Sequence, residues 1–324
     1  MSEIHESDKN DEVAVRTETD AYKASSDIGK KLYAEETYFY KPWQYSDYEV
    51  YAATLKTTYE EINIWGNQHA MIRPGWKSEN GKVYIPNIFA KVVGTHKNKS
   101  IYRKEMKFLT HEPNTLVFMG FPLFFQRKLK EVKRNYFFSL DIHGNIDKTK
   151  LMSSSYWRYG KLRMSVQNAI ADRIIDFCKL HRFKNYESCL YGSKMSMVSG
   201  AMDLIKGFGI NINLPIKAED IAKIKVFEVL CNLEEPLLKI IALFDYPANV
   251  PKVIVYDNGM MRNSKITFAD AVKLSFMSSM GIDVIVYSPA GFSDIEDFID
   301  NRYFDVHKLE TVAYNLRYNK WFFF

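Results

Sequence analysis

The sequence predicts a mixed α/β protein whose C-terminal part forms a Rossmann-like β-α-β-α unit with parallel strands. Two short, uninterrupted apolar runs, KVIVY at 252–256 and DVIVY at 283–287, indicate buried strands. Between them, Thr267 and Asp270 have the spacing of a capping box, which predicts a helix that extends to Met280. Strands joined by a helix of this length pair most economically in parallel, through a right-handed crossover.

A second helix is expected after the second apolar run, because Ser293 and Glu296 repeat the capping-box spacing ahead of a segment that ends near Asn301. Parallel strands bring their carboxyl ends to one edge of a sheet, where open α/β sheets usually bind ligands. The loops that follow the two apolar runs should therefore lie side by side at that edge. This edge is the predicted site.

Hydrophobic periodicity and turn residues predict the other elements. Thr58 and Glu61 form another capping box, and the run RPG at 73–75 stops the helix that they begin. Further helices are expected over 100–109, 163–181, 194–206 and 219–244, the last interrupted at Pro236. Strands are expected over 115–125, 135–142 and 82–93, the last as a strand or hairpin broken at Pro86.

Four segments are expected along the chain. Residues 1–36 form a disordered acidic leader, since ten acids, five bases and few periodic apolar residues cannot offset the entropy of ordering. An α+β domain at 37–160, a helical region at 161–248 and the Rossmann-like unit at 249–324 follow. The remainder after the leader has 39 bases against 29 acids, an excess that suits either anionic ligands or plain solubility.

The composition favours a cytoplasmic protein with no membrane span. The first twenty residues carry acids and hydroxyls instead of the basic start and apolar stretch of a signal peptide. The longest apolar runs, 116–125 and 240–244, are far shorter than the ~20 residues that cross a bilayer. Three cysteines without CxxC pairing indicate reduced core thiols, and the histidines lack zinc-binding spacing, so no metal site is expected; the cysteines are Cys178, Cys189 and Cys231.

The candidate ligand-binding residues lie in the two loops after the apolar runs. They are Asp257, Asn258, Ser288, Gly291, Ser293 and Asp294. Carboxylates here suit hydrogen bonds from ribose or sugar hydroxyls, or a Mg²⁺ ion that bridges to the phosphate of a nucleotide or phosphosugar. The acids of the predicted second helix outweigh the roughly half positive charge of a helix N-terminus, so a bare phosphate should be repelled. The alternative for Asp257 and Asp294 is turn and helix-cap chemistry.

Cations for a ligand's phosphates would come from elsewhere in the chain, because the loops lack a GxGxxG or GxxxxGK[ST] pattern. Arg158 and Arg163, in the run WRYGKLR at 157–163, are the candidate anion contacts. The alternative for this run is a solvated helix start. Further basic candidates are Lys56, Arg73 and Lys91.

The basic run at 126–134, flanked by aromatic residues, raises an RNA-binding hypothesis through stacking and phosphate contacts. The aromatic residues alternate with the period of a strand, which favours a core position for them and a connecting turn for the bases. Nucleic acid is therefore the least favoured partner.

Several segments together resemble a bacterial family, the YceG-like proteins. They are KPWQY (41–45), LKTTYEEI (55–62), RPG (73–75), VYIPNIFAKV (83–92), VPKVIVYDN (250–258) and GIDVIVYSP (281–289). The resemblance covers about 38–316, and family members are longer than this chain. It implies a cytoplasmic component of the "biosynthetic module" of tellurite-resistance (Ter-type) gene clusters, acting in stress beside TerD-like and TelA-like proteins. It implies no assigned reaction and no catalytic residues.

Two hypotheses of function lead. The first is a protein that binds a nucleotide or phosphosugar, as a transferase-type enzyme of a stress-response pathway. The second is a non-catalytic scaffold that docks TerD-like or TelA-like proteins through the acidic leader and an aromatic-rich surface. The absence of a recognisable pair of nucleophile and base favours the scaffold, while the predicted loops favour the ligand.

Overall fold

The computed structural model describes residues 49–53, 56–80, 82–112, 115–123, 129–186, 217–243, 250–257, 266–314 and 316. The predicted leader, the predicted helix at 194–206, Cys189 and Asn258 lie outside these residues. Within them, two sheets and a set of helices form a mixed α/β fold, as the sequence predicts. No helix in the described part of the chain is long and apolar enough to cross a membrane.

The first three strands along the chain form a small sheet. Its strands are β1 (Glu49–Ala52), β2 (Lys77–Glu79) and β3 (Lys82–Ile85). Strand β3 lies in the middle, parallel to β1 and antiparallel to β2. Val83 and Ile85 pack with Ala70 and Val250, so the small sheet is attached where the chain enters the main sheet.

The main sheet has five strands, all parallel, in the order β5-β6-β7-β4-β8. They are β4 (Phe89–Val93), β5 (Thr115–Met119), β6 (Lys252–Tyr256), β7 (Asp283–Ser288) and β8 (Asp305–Lys308). Strands β6 and β7 are buried at every residue, as expected for parallel strands covered on both faces. The sheet takes strands from both the predicted α+β segment and the predicted Rossmann-like segment, whose boundaries stay predictions.

The helices of the described residues are α1 (Tyr59–Trp65), α2 (Lys99–His111), α3 (Leu129–Phe138), α4 (Lys148–Ser153), α5 (Met164–Phe177), α6 (Ala218–Leu230), α7 (Glu235–Leu243) and α8 (Phe268–Ser279). Two single 3₁₀ turns cover Ala70–Ile72 and Ile295–Asp297. Capping boxes begin α1 at Thr58 and α8 at Thr267, which confirms both predictions.

Side chains of the strands alternate between two cores, one on each face of the main sheet. On the first face, Val253, Val255, Val284 and Val286 pack under α8, with α5 and α6 beyond it. On the second face, the alternate residues of β4, β6 and β7 pack against α1 and α2; these residues are Ala90, Val92, Ile254, Tyr256, Ile285 and Tyr287. The sheet is therefore covered on both sides and is doubly wound.

Helix α8 is buried along its whole length, and both of its charged side chains are partnered by neighbouring segments. Asp270 accepts hydrogen bonds from the Thr267 and Leu123 backbone amides at 2.7 and 2.6 Å. Lys273 donates to the Leu123 carbonyl and to Glu234, each at 2.7 Å. These contacts attach the start of α8 to the end of β5, close to the carboxyl edge of the sheet.

Three predicted elements are wrong in type or extent. The first half of the strand expected over 135–142 is the end of helix α3, because Val132 and Tyr136 are buried at helical spacing while Phe137 and Phe138 are exposed. The basic run before it is therefore helical from Leu129 onward rather than a turn. The segment 82–93 breaks at Pro86 as expected, yet its halves join different sheets and form no hairpin.

The prediction of a helix that begins at Ser293 is wrong. Only a 3₁₀ turn of three residues, Ile295–Asp297, forms there. The side chain of Glu296, which would complete the capping box, is instead ion-paired to Lys91 at 2.6 Å. Because this competing contact comes from a strand 205 residues away, local spacing could not reveal it. Without a helix, the dipole argument about phosphate at Ser293 no longer applies.

Candidate functional site at the carboxyl edge of the main sheet

The reversal of strand order falls between β4 and β7. From β4 the chain runs through α2 on the second face to β5 at the far edge, whereas from β7 it passes the first face to reach β8. Connections that leave neighbouring strands on opposite faces open a crevice beyond their carboxyl ends, the usual ligand site of open α/β sheets. The predicted loops follow β6 and β7, directly beside this point.

Asp257 and Ser288 are adjacent at this edge. The Asp257 amide donates to the Tyr287 carbonyl at 2.8 Å, which continues the parallel pairing of β6 with β7 by one residue. Because strand side chains alternate, Ser288 shares the first face with Val286, and Asp257 continues the row of Val255. The structure thus brings together two of the predicted site residues, one from each loop.

The loop after β7 turns back over the end of β4. Gly291 adopts a φ of +74° and its amide donates to the Ser288 carbonyl at 3.0 Å. The positive φ favours glycine at this turn, whereas a β-carbon there would make only an ordinary contact of 3.4 Å with Val93 Cγ1. Ser288 and Ser293 are fully buried, and neither hydroxyl has a hydrogen-bond partner in the described part of the chain.

Lys91 is buried beneath this loop with only 1% of its side chain exposed. Its Nζ lies 2.6 and 2.8 Å from the two carboxylate oxygens of Glu296 and also donates to the Ser293 carbonyl. The ammonium is neutralised by Glu296, so it holds the loop in place rather than presenting a free cation. Lys91 is therefore a support of the site and not the phosphate contact that the sequence suggested.

Asp294 is exposed and lies within electrostatic reach of other acids. The pKa of its carboxyl is raised, chiefly by partial burial and further by repulsion from Glu296, Asp297 and Asp257, while Lys91 opposes this rise. Asp257 and Asp294 are thus close enough to influence each other. Acids held together against their mutual repulsion are typical of sites selected for function rather than stability.

Replacing Asp294 with asparagine is expected to raise the midpoint of thermal unfolding at pH 7. A carboxyl whose pKa is raised on folding disfavours the folded state wherever it is ionised, and this penalty disappears as the pH falls below the ordinary aspartate value near 4. The gain should therefore vanish at pH 3.5 or below. Asp176→Asn, at an exposed site on α5 beside Lys179 and Arg182, should produce no gain at either pH.

The other predicted cations belong to elements other than the loops after β6 and β7. Arg158 and Arg163 lie in the connection between α4 and α5, which packs on the end of α6 through the Tyr159 hydroxyl and the Leu230 carbonyl, 2.5 Å apart. Lys56 pairs with Asp305 at 2.6 Å, and Arg73 pairs with Asp283 at 2.7 Å inside the protein. In the described residues, no group of three or more His, Cys, Asp or Glu side chains is arranged to hold a metal.

A second polar cluster lies on the other face of the same edge and was missed from the sequence. The Tyr59 hydroxyl and His96 Nε2 lie 2.5 and 3.1 Å from the same oxygen of Glu105, Oε2. Below them, the buried hydroxyls of Tyr102 and Tyr287 have no hydrogen-bond partner among the described residues. Burial and the bond to Glu105 raise the pKa of Tyr59. No local motif marks this cluster, because its members come from α1, α2, β7 and the loop after β4.

Residues 309–314 and 316 lie across this edge on the second face. Its backbone pairs with the loops after β4 and β7: Thr95 and Thr311 exchange amide bonds of 2.7 and 3.0 Å, and the Ala313 amide donates to the Pro289 carbonyl at 2.9 Å. The Tyr256 hydroxyl donates to the Leu316 carbonyl at 2.8 Å. The second face of this edge is therefore covered by the chain itself, which leaves the Asp257 and Ser288 side as the candidate site.

Parallel strands, helices on both faces and connections that reverse direction at a switch point define a doubly wound α/β protein. The chain belongs to the YceG domain family, which matches residues 56–198 and 202–319. It is 34% identical over 309 residues to "Uncharacterized protein YceG" of Bacillus subtilis (strain 168), a match that covers 94% of this chain and 51% of the relative. The chain thus spans about half the length of that relative. No solved structure matches.

Proposed function

We propose that the carboxyl edge of the main sheet binds a nucleotide or phosphosugar and that the protein is a transferase-type enzyme of a cytoplasmic stress response. The observation that supports this best is the placement of Asp257 and Ser288 on adjacent parallel strands, on one face, beside the exposed carboxylate of Asp294. This is the position at which open α/β sheets bind ligands. A role in a Ter-type, tellurite-resistance gene cluster, which the resemblance to YceG-like proteins implies, would agree with a small-molecule substrate.

The charges of the site indicate which part of the ligand each residue contacts. Asp257 and Asp294 are hydrogen-bond acceptors, so they suit ribose or sugar hydroxyls and would repel an unaccompanied phosphate. Lys91 is already neutralised by Glu296 and adds no net positive charge. The phosphate groups would therefore enter with Mg²⁺, or reach Arg158 and Arg163 on the helical side of the protein.

A thermal-shift panel of nucleotides, nucleotide sugars and phosphosugars, with and without Mg²⁺, tests the proposal. A ligand that binds only the folded state at one hundred times its Kd stabilises that state by about 2.7 kcal/mol. Asp257→Asn keeps the size of the side chain but removes its charge, and hydrogen bonds to charged groups contribute about 1.5–3 kcal/mol. The variant should therefore bind the same ligand about 10- to 100-fold more weakly.

Asp176→Asn is the matched control, because it removes one exposed carboxylate from α5, away from the edge. Its shift with ligand should equal that of the unmodified protein. The proposal fails if no compound of the panel changes the melting curve, or if the two asparagine variants lose affinity equally.

A non-catalytic docking role is the second candidate, favoured by exposed apolar side chains at the end of α3. Phe137, Phe138 and Ile142 are 51%, 59% and 94% exposed, an unusual concentration for a protein surface. A TerD-like or TelA-like protein is the proposed partner. Co-purification with such a partner that is lost in a Phe137→Ser, Phe138→Ser variant, together with an unresponsive ligand panel, would favour docking over catalysis.

A further inference from the structure

We propose that Phe292 and Tyr314 form an aromatic platform on which the base of a nucleotide stacks at the carboxyl edge. This inference rests on the proposed function and extends it, because it selects a nucleotide over a simple phosphosugar. Phe292 belongs to the loop after β7, and Tyr314 belongs to the segment that crosses the same edge. The two side chains meet although they are 22 residues apart in the sequence.

Both rings are largely open to solvent. Phe292 is 52% exposed and Tyr314 is 67% exposed, while their ring centroids are 5.7 Å apart with planes inclined by 39°. A single exposed aromatic ring needs no explanation, but two that touch form a continuous apolar surface. Their mutual contact covers only part of each ring, so the remaining faces are available to a planar partner.

The backbone beneath the platform is fixed on both sides. The loop that carries Phe292 begins with the Gly291 turn, which is held by a 3.0 Å bond from the Gly291 amide to the Ser288 carbonyl. The segment that carries Tyr314 is held by the Ala313 amide, 2.9 Å from the Pro289 carbonyl. Since these anchors are in place before a ligand arrives, little additional ordering would oppose binding.

The position next to the acidic residues determines the class of ligand. Phe292 lies two residues before Asp294 in the loop, so the platform is close in the chain to the carboxylate that would accept hydrogen bonds from sugar hydroxyls. Uncharged aromatic faces cannot hold a phosphate but stack well on any base, because every base has a π-face. A base on the platform would therefore place its ribose towards Asp294 and Asp257.

Titration calorimetry with AMP, GMP, CMP, UMP and UDP-glucose, against ribose 5-phosphate and glucose 1-phosphate as base-free probes, tests the platform. All titrations contain Mg²⁺. Phe292→Ala and Tyr314→Ala should each weaken binding of the base-containing compounds about 5- to 150-fold, the range measured for loss of one stacking partner. Affinity for the base-free probes should not change. Phe292→Tyr and Tyr314→Phe, which retain a ring, should bind like the unmodified protein.

Phe108→Ala is the matched control, since Phe108 is 58% exposed on α2 and lies outside the platform. Circular dichroism of each variant checks that it is folded. Equal affinity of the alanine variants and the unmodified protein for every base-containing compound would overturn the platform and leave the proposed function standing. A protein that binds none of the seven compounds would overturn both.

Discussion

Replacing Arg73 with methionine is expected to lower the free energy of unfolding by about 3–5 kcal/mol, the typical effect of breaking a buried ion pair. Arg73 and Asp283 are both fully buried and paired through two contacts of 2.7 Å. The guanidinium also donates to the Pro86 and Trp65 carbonyls, and Asp283 accepts the Ile88 amide at 2.8 Å. The variant would leave the Asp283 carboxylate charged and buried without its partner.

Denaturant-induced unfolding followed by circular dichroism measures this loss. Arg302→Met, which breaks the exposed pair of Arg302 with Asp300, should leave the unfolding curve almost unchanged because solvent screens that pair. A double variant, Arg73→Met with Asp283→Leu, should regain much of the stability since no charge stays buried. A loss below about 1 kcal/mol in Arg73→Met, the range of exposed ion pairs, would contradict the burial of this pair.

Phe276→Ala is expected to cost about 3–5 kcal/mol, the range for removing a buried aromatic ring and leaving a cavity. Phe276 is fully buried in α8, which itself is buried between the main sheet and the outer helices α5 and α6. Neighbouring side chains on both sides are held by their own packing, so the cavity cannot collapse easily.

The same denaturant titration compares Phe276→Ala with Phe108→Ala, which removes an equal volume from the exposed side of α2. The exposed substitution should change stability within about 0.5 kcal/mol. Similar values for the two variants would mean that α8 is not the central helix of the fold.

The C-terminal β-α-β unit could be predicted because its signals are local. Continuous valine and isoleucine runs mark β6 and β7, and the capping box at Thr267 marks the start of α8. The errors arose where a distant residue decides the local structure. Glu296 pairs with Lys91 and therefore does not cap a helix with Ser293. Tyr136 is buried in the core under α3, whereas the aromatic residues next to it are exposed.

The part of the candidate site that could be predicted also depends on local signals. Asp257, Ser288, Gly291, Ser293 and Asp294 follow directly from the strands that precede them, so parallel pairing alone brings them to one edge. The cluster around Glu105 and the contact of Phe292 with Tyr314 depend on how separate segments fold over that edge. No spacing in the sequence indicates these contacts between distant residues. The roles of Arg158 and Arg163 remain predictions.

Hydrogen–deuterium exchange, measured with and without the nucleotide or phosphosugar that stabilises the protein most, locates the bound ligand directly. If the carboxyl edge is the binding site, exchange should slow at the end of β7 and through the following loop to Asp297, with little change in α5. Slower exchange confined to the helical side around residues 157–163, with an unchanged loop after β7, would contradict that location.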